Sequence, residues 1–145
     1  MKYSNEVTIK ASLNKAVELF ENEDNLPKWQ EGFVSAEILE GQRGKAGLVS
    51  RLRYKMGKRD IEMIETVLEW NLPHKFTANY KAKGVDNIVE NSFEAIDDNT
   101  TRYISHNEFK FKGIMKLMGA IMPGAFKKQS QKYLNDFKKF VENEA

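Results

Sequence analysis

The period at which apolar residues recur changes three times along the chain. Residues 3–10 alternate in the two-residue period of a β-strand. The next stretch follows the helical period and predicts a helix capped by Ser12. A second short helix should begin at Asn22 or Asp24 and run to about residue 30, with Trp29 as its large apolar anchor. The chain is therefore expected to begin with one strand and two short helices.

Residues 33–111 return to the two-residue period and predict six consecutive strands. Turn signals rich in Gly, Asn, Asp and Pro separate these strands. Connections this short join antiparallel neighbours, so the region should form a meander. The predicted strands cover residues 33–40, 46–56, 59–70, 75–82, 86–96 and 101–111.

Residues 113–142 follow the helical period again and predict a long amphipathic helix. Pro123 and Gly124 should kink or break it, because proline removes a backbone donor and clashes with the preceding turn. The first part is rich in Met, and a buried face is expected for it, as an adaptable pocket wall or as ordinary core. Its second part is rich in Lys, which predicts a solvated face, with docking to a membrane surface as the alternative.

This order of elements predicts an α+β fold. A twisted, seven-stranded antiparallel sheet should curve around the long C-terminal helix, with the two short helices between the first and second strands. Wherever side chains do not fill the space between sheet and helix, a hollow remains. We expect any function to lie in that hollow.

The turn at Gly57 and Lys58 allows the inward face of the sheet to be assigned. If it is a two-residue hairpin loop, Leu52 pairs with Met63 and Ser50 with Glu65, and cross-strand partners share a face. The inward faces are then apolar with a few polar positions, as is typical of small-molecule pockets. The residues expected to line the cavity are Trp29, Leu52, Tyr54, Met63, Glu65, Phe76, Tyr80, Asn91, Phe93, Tyr103, Met118, Met122 and Phe126.

Glu65 is the candidate for acid–base chemistry in this cavity. Desolvation would raise the pKa of a carboxyl group there and make it a usable proton donor or acceptor. Two alternatives remain open at this point. A one-residue β-bulge would turn Glu65 outward, or the carboxylate would pair with a nearby Arg or Lys.

Composition and charge narrow the function classes. The 145 residues include 23 Lys and Arg, 21 Asp and Glu, no Cys and 41% hydrophobic residues. The hydrophobic content excludes intrinsic disorder, and a net charge of +2 does not indicate a nucleic-acid partner. The absence of Cys excludes disulfides and thiolate chemistry and is consistent with a cytoplasmic protein. No secretory signal or membrane-spanning apolar run is visible, so stable membrane insertion is not expected.

Two further motifs, a glycine cluster and the pair of histidines, do not indicate a functional site. The glycines at positions 41, 44 and 47 lie between strands and lack the Ser or Thr of a phosphate loop, so they predict a hairpin turn. His74 and His106 are the only histidines, too few for a convincing metal site. We therefore expect neither a metal nor a cofactor.

Several sequence features resemble the START-like, or SRPBCC, superfamily over nearly the whole chain. Beyond the order of elements and Trp29, they are the hairpin Glu-Gly-Gln-Arg-Gly-Lys-Ala-Gly at 40–47, the strand end Glu-Trp-Asn-Leu-Pro at 69–73 and the terminal helix Leu-Asn-Asp-Phe-Lys-Lys-Phe-Val-Glu at 134–142. The resemblance implies a helix-grip fold around an apolar cavity. Its members include lipid carriers, plant hormone and allergen-type binders, and polyketide cyclase-like enzymes.

The sequence patterns and the resemblance to the START-like superfamily together predict a single START-like domain over residues 1–145. We favour a protein that binds a hydrophobic or amphipathic small molecule, such as a lipid, polyketide, aromatic or isoprenoid compound. The alternative is a polyketide cyclase/dehydrase-like enzyme in which Glu65, Tyr54, Tyr80 or Asn91 transfers protons. A protein-interaction module of the co-chaperone activator type has no supporting motif, and the sequence assigns no oligomeric state.

Overall fold

In the computed structural model, which describes residues 1–144, an antiparallel sheet of seven strands is combined with four helices. The strands are β1 (Lys2–Ile9), β2 (Phe33–Glu40), β3 (Val49–Met56), β4 (Arg59–Asn71), β5 (Lys75–Ala82), β6 (Val85–Asp97) and β7 (Thr100–Phe111). The helices are α1 (Leu13–Glu21), α2 (Leu26–Trp29), α3 (Ile114–Ile121) and α4 (Pro123–Glu144), and a 3-10 turn, Glu23–Asn25, precedes α2.

The sheet has the order β1-β7-β6-β5-β4-β3-β2, so β2 to β7 form the predicted meander and β1 closes onto β7. The Ser12 hydroxyl caps α1 by accepting a hydrogen bond from the Lys15 amide, at 3.2 Å. One strand is shorter than predicted: β3 begins at Val49 and not at residue 46. The preceding loop is longer because Gly44 and Gly47 adopt positive φ, which ends regular strand geometry there.

The register of β3 and β4 is the predicted one. Leu52 pairs with Met63 and Ser50 with Glu65, and the pairing continues without a shift to the Gly57 hairpin. The bulge that would have turned Glu65 outward is therefore absent between these strands. An irregularity occurs only further along β4, between Val67 and Glu69, where it faces β5.

The C-terminal helical segment is broken at the predicted position. The first part, α3, ends at Ile121, and α4 begins at Pro123, whose fixed φ suits the first turn of a helix. The second part packs through Leu134, Phe137 and Val141, which are buried against the sheet. No helix within residues 1–144 is long and apolar enough to span a membrane.

The expectation that the Met-rich segment has a buried apolar face is wrong. Helix α3 contacts the rest of the protein through Met115 and Gly119, which lie one turn apart on the same side. The other apolar side chains of α3, Met118 among them, and Met122 just beyond the helix are exposed. Helical periodicity predicted α3 correctly, but the apolar stripe is not the side that packs.

The main core lies where β1, α1 and the second half of α4 meet the ends of β6 and β7. Eleven buried residues form it, and Phe20 adds aromatic contacts from α1. We call this group the packed cluster. Its members are Val7, Ile9, Ala11, Ala16, Trp29, Phe93, Tyr103, Leu134, Phe137, Phe140 and Val141.

Candidate functional site

A cavity of about 330 Å³ lies between the inner face of the sheet and the first half of α4. This volume is at the lower end of the roughly 300–1,000 Å³ of small-molecule sites. Side chains from α1, α2, β2 to β7 and α4 form its wall, whereas α3 contributes none of the lining residues. The cavity is therefore formed by the sheet, the two N-terminal helices and α4.

The structure brings most of the predicted lining residues together at this cavity. Trp29, Leu52, Tyr54, Met63, Glu65, Phe76, Tyr80, Asn91, Tyr103 and Phe126 all line it. Phe93, Met118 and Met122 do not. Phe93 shares the inward face but stacks on Tyr103 at 4.5 Å within the packed cluster. Met118 and Met122 are exposed on and after α3.

Glu65 is the acidic group on the inward face of β4. Its partner across β5 is Tyr80, and both side chains line the cavity. Burial raises the pKa of Glu65, while the Tyr80 hydroxyl and the charge of Arg43 partly offset that shift. Burial also raises the pKa of Tyr80, and the neighbouring Glu65 carboxylate adds to the effect. The pair thus combines a neutral phenol with a carboxyl group that holds its proton more tightly than usual.

Arg43 forms a charged rim at the cavity. Its guanidinium pairs with the Glu23 carboxylate and donates to the Glu21 carbonyl at 2.6 Å. The same group lies 5.6 Å from the centre of the Trp70 ring, within cation–π range. All four side chains belong to the lining. The carboxylate in direct ion-pair contact with Arg43 is Glu23, whereas Glu65 feels the Arg43 charge from a greater distance.

Two further hydrogen bonds fix polar groups of the lining. The Tyr103 hydroxyl donates to the Asn91 side-chain oxygen at 2.8 Å, and the Asn91 amide donates to the Phe76 carbonyl at 3.4 Å. The Tyr54 hydroxyl donates to Gln30 at 2.7 Å. Burial raises the pKa of both tyrosines, so they stay neutral over the physiological range. These groups present polar atoms to the cavity without placing a charge in it.

Sequence reasoning missed much of the wall that α4 and the rim provide. Gln129, Ser130 and Tyr133 line the cavity beside Phe126. They lie three, four and seven positions after Phe126, so the helical period alone would have found them. The sequence assigns Arg43 only to a glycine-rich turn, and no pattern in it indicates the partner Glu23.

Within residues 1–144, no three side chains of the His, Cys, Asp or Glu type lie close enough to hold a metal ion. The Nδ1 atom of His106 forms a hydrogen bond with the Ser4 hydroxyl, at 2.5 Å, at the edge of the sheet. The polar groups that line the cavity include the carboxyl, guanidinium, phenol and amide groups described above.

Comparison with known proteins places this geometry in context. The family model described as "Polyketide cyclase / dehydrase and lipid transport" matches residues 1–142. No curated protein matches the chain significantly.

Solved structures resemble the fold at low sequence identity. The Zhui aromatase/cyclase from Streptomyces sp. R1128 superimposes with a TM-score of 0.80 at 15% identity, over 98% of this chain and 93% of its own. A START superfamily protein from Mycobacterium smegmatis gives 0.71 at 15%, over 99% and 95%. Norcoclaurine synthase from Thalictrum flavum, in complex with dopamine and hydroxybenzaldehyde, gives 0.74 at 15%, over 100% and 88%. At these identities the likeness supports the fold alone.

Proposed function

The chain belongs to the polyketide cyclase/dehydrase and lipid transport family, and on that premise we propose that it binds a hydrophobic or amphipathic small molecule in the cavity under α4. The observation that carries this proposal is the cavity itself, a hollow of about 330 Å³ with a largely apolar wall. A fold of this length can pack its interior fully, so a hollow of this size costs dispersion contacts that a ligand would restore.

The polar groups of the wall define which ligands fit. Glu65 and Tyr80 face each other on β4 and β5, and Asn91 with Tyr103 forms a second polar position on β6 and β7. Carboxyl and phenol groups both form hydrogen bonds with oxygen-containing groups, so they suit a ligand that carries a hydroxyl or carbonyl oxygen. We therefore propose a ligand with an apolar body and a few oxygens, in the class of aromatic, polyketide or isoprenoid compounds and lipids.

Intrinsic fluorescence offers a direct test, because both tryptophans of the chain, Trp29 and Trp70, line the cavity. The purified protein is titrated with a panel of fatty acids, sterols and aromatic ketones. Saturable change in tryptophan emission is expected for at least one class. If no member of the panel changes the emission, and none protects against thermal unfolding, the proposed function is wrong.

A matched pair of variants separates cavity binding from adsorption. Ser50→Leu adds an isobutyl group on the inward face of β3, at a residue that lines the cavity. Thr66→Leu adds a similar group to the opposite face of the same sheet, beside Glu65 in the chain. Loss of binding is expected in the first variant only. Equal binding by both variants would place the ligand elsewhere.

An enzymatic role is the second candidate, and the pairing of Glu65 with Tyr80 inside the cavity favours it. In a cyclase- or dehydrase-like reaction, Glu65 would accept a proton from carbon beside a carbonyl group, while the Tyr80 hydroxyl donates to the developing oxyanion. Glu65→Gln should then leave binding of a poly-carbonyl substrate unchanged and slow turnover by about 10²–10⁴-fold. Unchanged turnover would remove Glu65 from the reaction.

A further inference from the structure

A stripe of exposed apolar side chains runs along α3, outside the cavity. Ile114, Leu117, Met118 and Ile121 occupy the i, i+3, i+4 and i+7 positions of one helix face. Their exposed fractions are 80%, 59%, 43% and 65%. Single apolar residues on a surface are ordinary, but four on one face make a contiguous patch. We call these four side chains the α3 stripe.

The opposite side of α3 fixes it to the sheet. A Cβ atom on Gly119 would lie 2.7 Å from the Phe111 ring, so the helix backbone rests directly on that ring. At Gly84, in the β5–β6 hairpin, a Cβ would lie 2.9 Å from Cγ of Met115. The Lys112 amide also donates to the Gly84 carbonyl at 2.9 Å. These contacts hold the helix with its stripe facing solvent.

The chain around the α3 stripe is cationic. Residues 109–135 contain no Asp or Glu. The six lysines of that stretch are Lys110, Lys112, Lys116, Lys127, Lys128 and Lys132. Within residues 1–144, the lysines in ion pairs are Lys75, Lys132 and Lys138, so the first five of those six have no carboxylate partner. The sequence on both sides of α3 thus carries an excess of positive charge.

We propose that α3 docks the protein on an anionic lipid surface, with the α3 stripe in the interfacial region and the neighbouring lysines against the headgroups. An apolar helix face flanked by Lys is the pattern of helices that lie in a membrane interface. A protein partner fits less well, because interface cores are depleted in Lys and α3 is only about 12 Å long.

Docking would bring the cavity wall close to the lipid. The Phe111 ring under Gly119 lies 5.1 Å from the Phe126 ring, and Phe126 lines the cavity. The docking inference does not depend on the proposed cavity ligand, since it rests on α3 and the lysines alone. A protein with an empty cavity would still dock.

Vesicle sedimentation tests the proposal with the full chain. The vesicles consist of phosphatidylcholine, with or without phosphatidylglycerol. Binding is expected only to the mixed vesicles, and added salt should weaken it. Leu117→Ser combined with Ile121→Ser should lower the partition coefficient at least about tenfold, because each side chain loses its transfer into lipid. Lys112→Gln and Lys116→Gln should each lower it about five-fold.

The matched control carries the same two changes at exposed strand positions, Leu68→Ser with Ile96→Ser, each 49% exposed. It should bind as the unmodified protein does. Circular dichroism verifies that all variants are folded. The proposal is overturned by absence of binding to mixed vesicles, by equal binding to neutral vesicles, or by equal loss in both double variants. It is also overturned if the α3 stripe instead mediates self-association, seen as a dimer that Leu117→Ser and Ile121→Ser dissolve.

Discussion

The packed cluster and the cavity lie under the same sheet, yet one is filled and the other is hollow. Along β6 the inward residues change from Phe93 in the packed cluster to Asn91, Val89 and Asn87 at the cavity. Along β7 they change from Tyr103 to Ser105 and Asn107 before Phe109 ends the row. Large aromatic rings thus give way to shorter polar side chains on the same face.

This gradient in side-chain volume explains the hollow. Where Phe20, Phe93, Tyr103 and Phe137 meet, ring centroids lie between 4.5 and 6.2 Å apart and leave no space. Where Ser, Asn and Ala line the wall, their short side chains leave the cavity volume unfilled. The fold is therefore densely packed in one region and keeps an unfilled volume in the other, and the variants below separate the contributions of these two regions.

The largest effect is expected at Phe137, which is fully buried in the packed cluster. Phe137→Ala should lower the free energy of unfolding by about 3–5 kcal/mol, because it removes buried apolar surface and leaves a cavity among rigid rings. Urea denaturation measures this difference. A loss below about 1 kcal/mol would show that the packed cluster does not carry the stability assigned to it.

Phe126 is the matched residue on the cavity side of the same helix. It is partly buried and contacts Phe109 and Phe111, with ring centroids 5.2 and 5.1 Å away. Phe126→Ala should cost only about 1–2 kcal/mol, because one side of the ring already faces open space. It should also weaken ligand binding measured by tryptophan fluorescence. Equal destabilisation by the two Phe→Ala variants would contradict the distinction between a packed and a hollow region.

Glu65 makes the stability of the cavity region depend on pH. Burial raises the pKa of Glu65 above its ordinary 4.5, so the native protein holds this proton more tightly than the unfolded chain does. The group's contribution to stability is therefore complete below pH 4.5 and is lost as pH rises through the raised native pKa. Glu65→Gln removes the titration. The free energy of unfolding of the unmodified protein, relative to this variant, should fall as pH rises above 4.5. Urea unfolding across that range checks the sign, and a rising difference would contradict it.

The smallest effect is expected on α3, which belongs to neither region. Leu117→Ser with Ile121→Ser should change the free energy of unfolding by no more than about 0.5 kcal/mol per site, since both side chains are mostly exposed. The same denaturation experiment measures it. A loss comparable to that of Phe137→Ala would mean that α3 packs in solution, contrary to its position in the structure.

The sequence predicted the strands and their faces well, for identifiable reasons. A two-residue turn at Gly57 leaves a single register for β3 and β4, so the inward positions of Leu52, Met63 and Glu65 follow from counting. The alternation of apolar and polar residues shows which face of the sheet a side chain lies on. It does not show whether that part of the face meets the packed cluster or the cavity. This explains why Phe93 was expected at the cavity, although it lies one pair further along, in the packed cluster.

The sequence does not show which side of each C-terminal helix is buried. Both α3 and α4 show apolar residues at helical spacing, but α4 buries Phe137 and Val141 whereas α3 exposes Leu117 and Ile121. Periodicity shows that a helix has an apolar side, and only the tertiary arrangement decides whether the sheet or the solvent meets it. The rim formed by Arg43 and Glu23 was likewise unpredictable, because it joins residues from a loop and a turn with no shared period.

The most direct test of the account is a backbone-amide NMR titration with a ligand identified by the fluorescence panel. Saturable chemical-shift changes are expected at Leu52, Met63 and Tyr80 on the cavity wall. Ile9 and Val141, in the packed cluster, should stay unchanged. Shifts confined to the packed cluster or to α3, or no saturable shift at the cavity wall, would contradict the claim that the hollow region is the binding site.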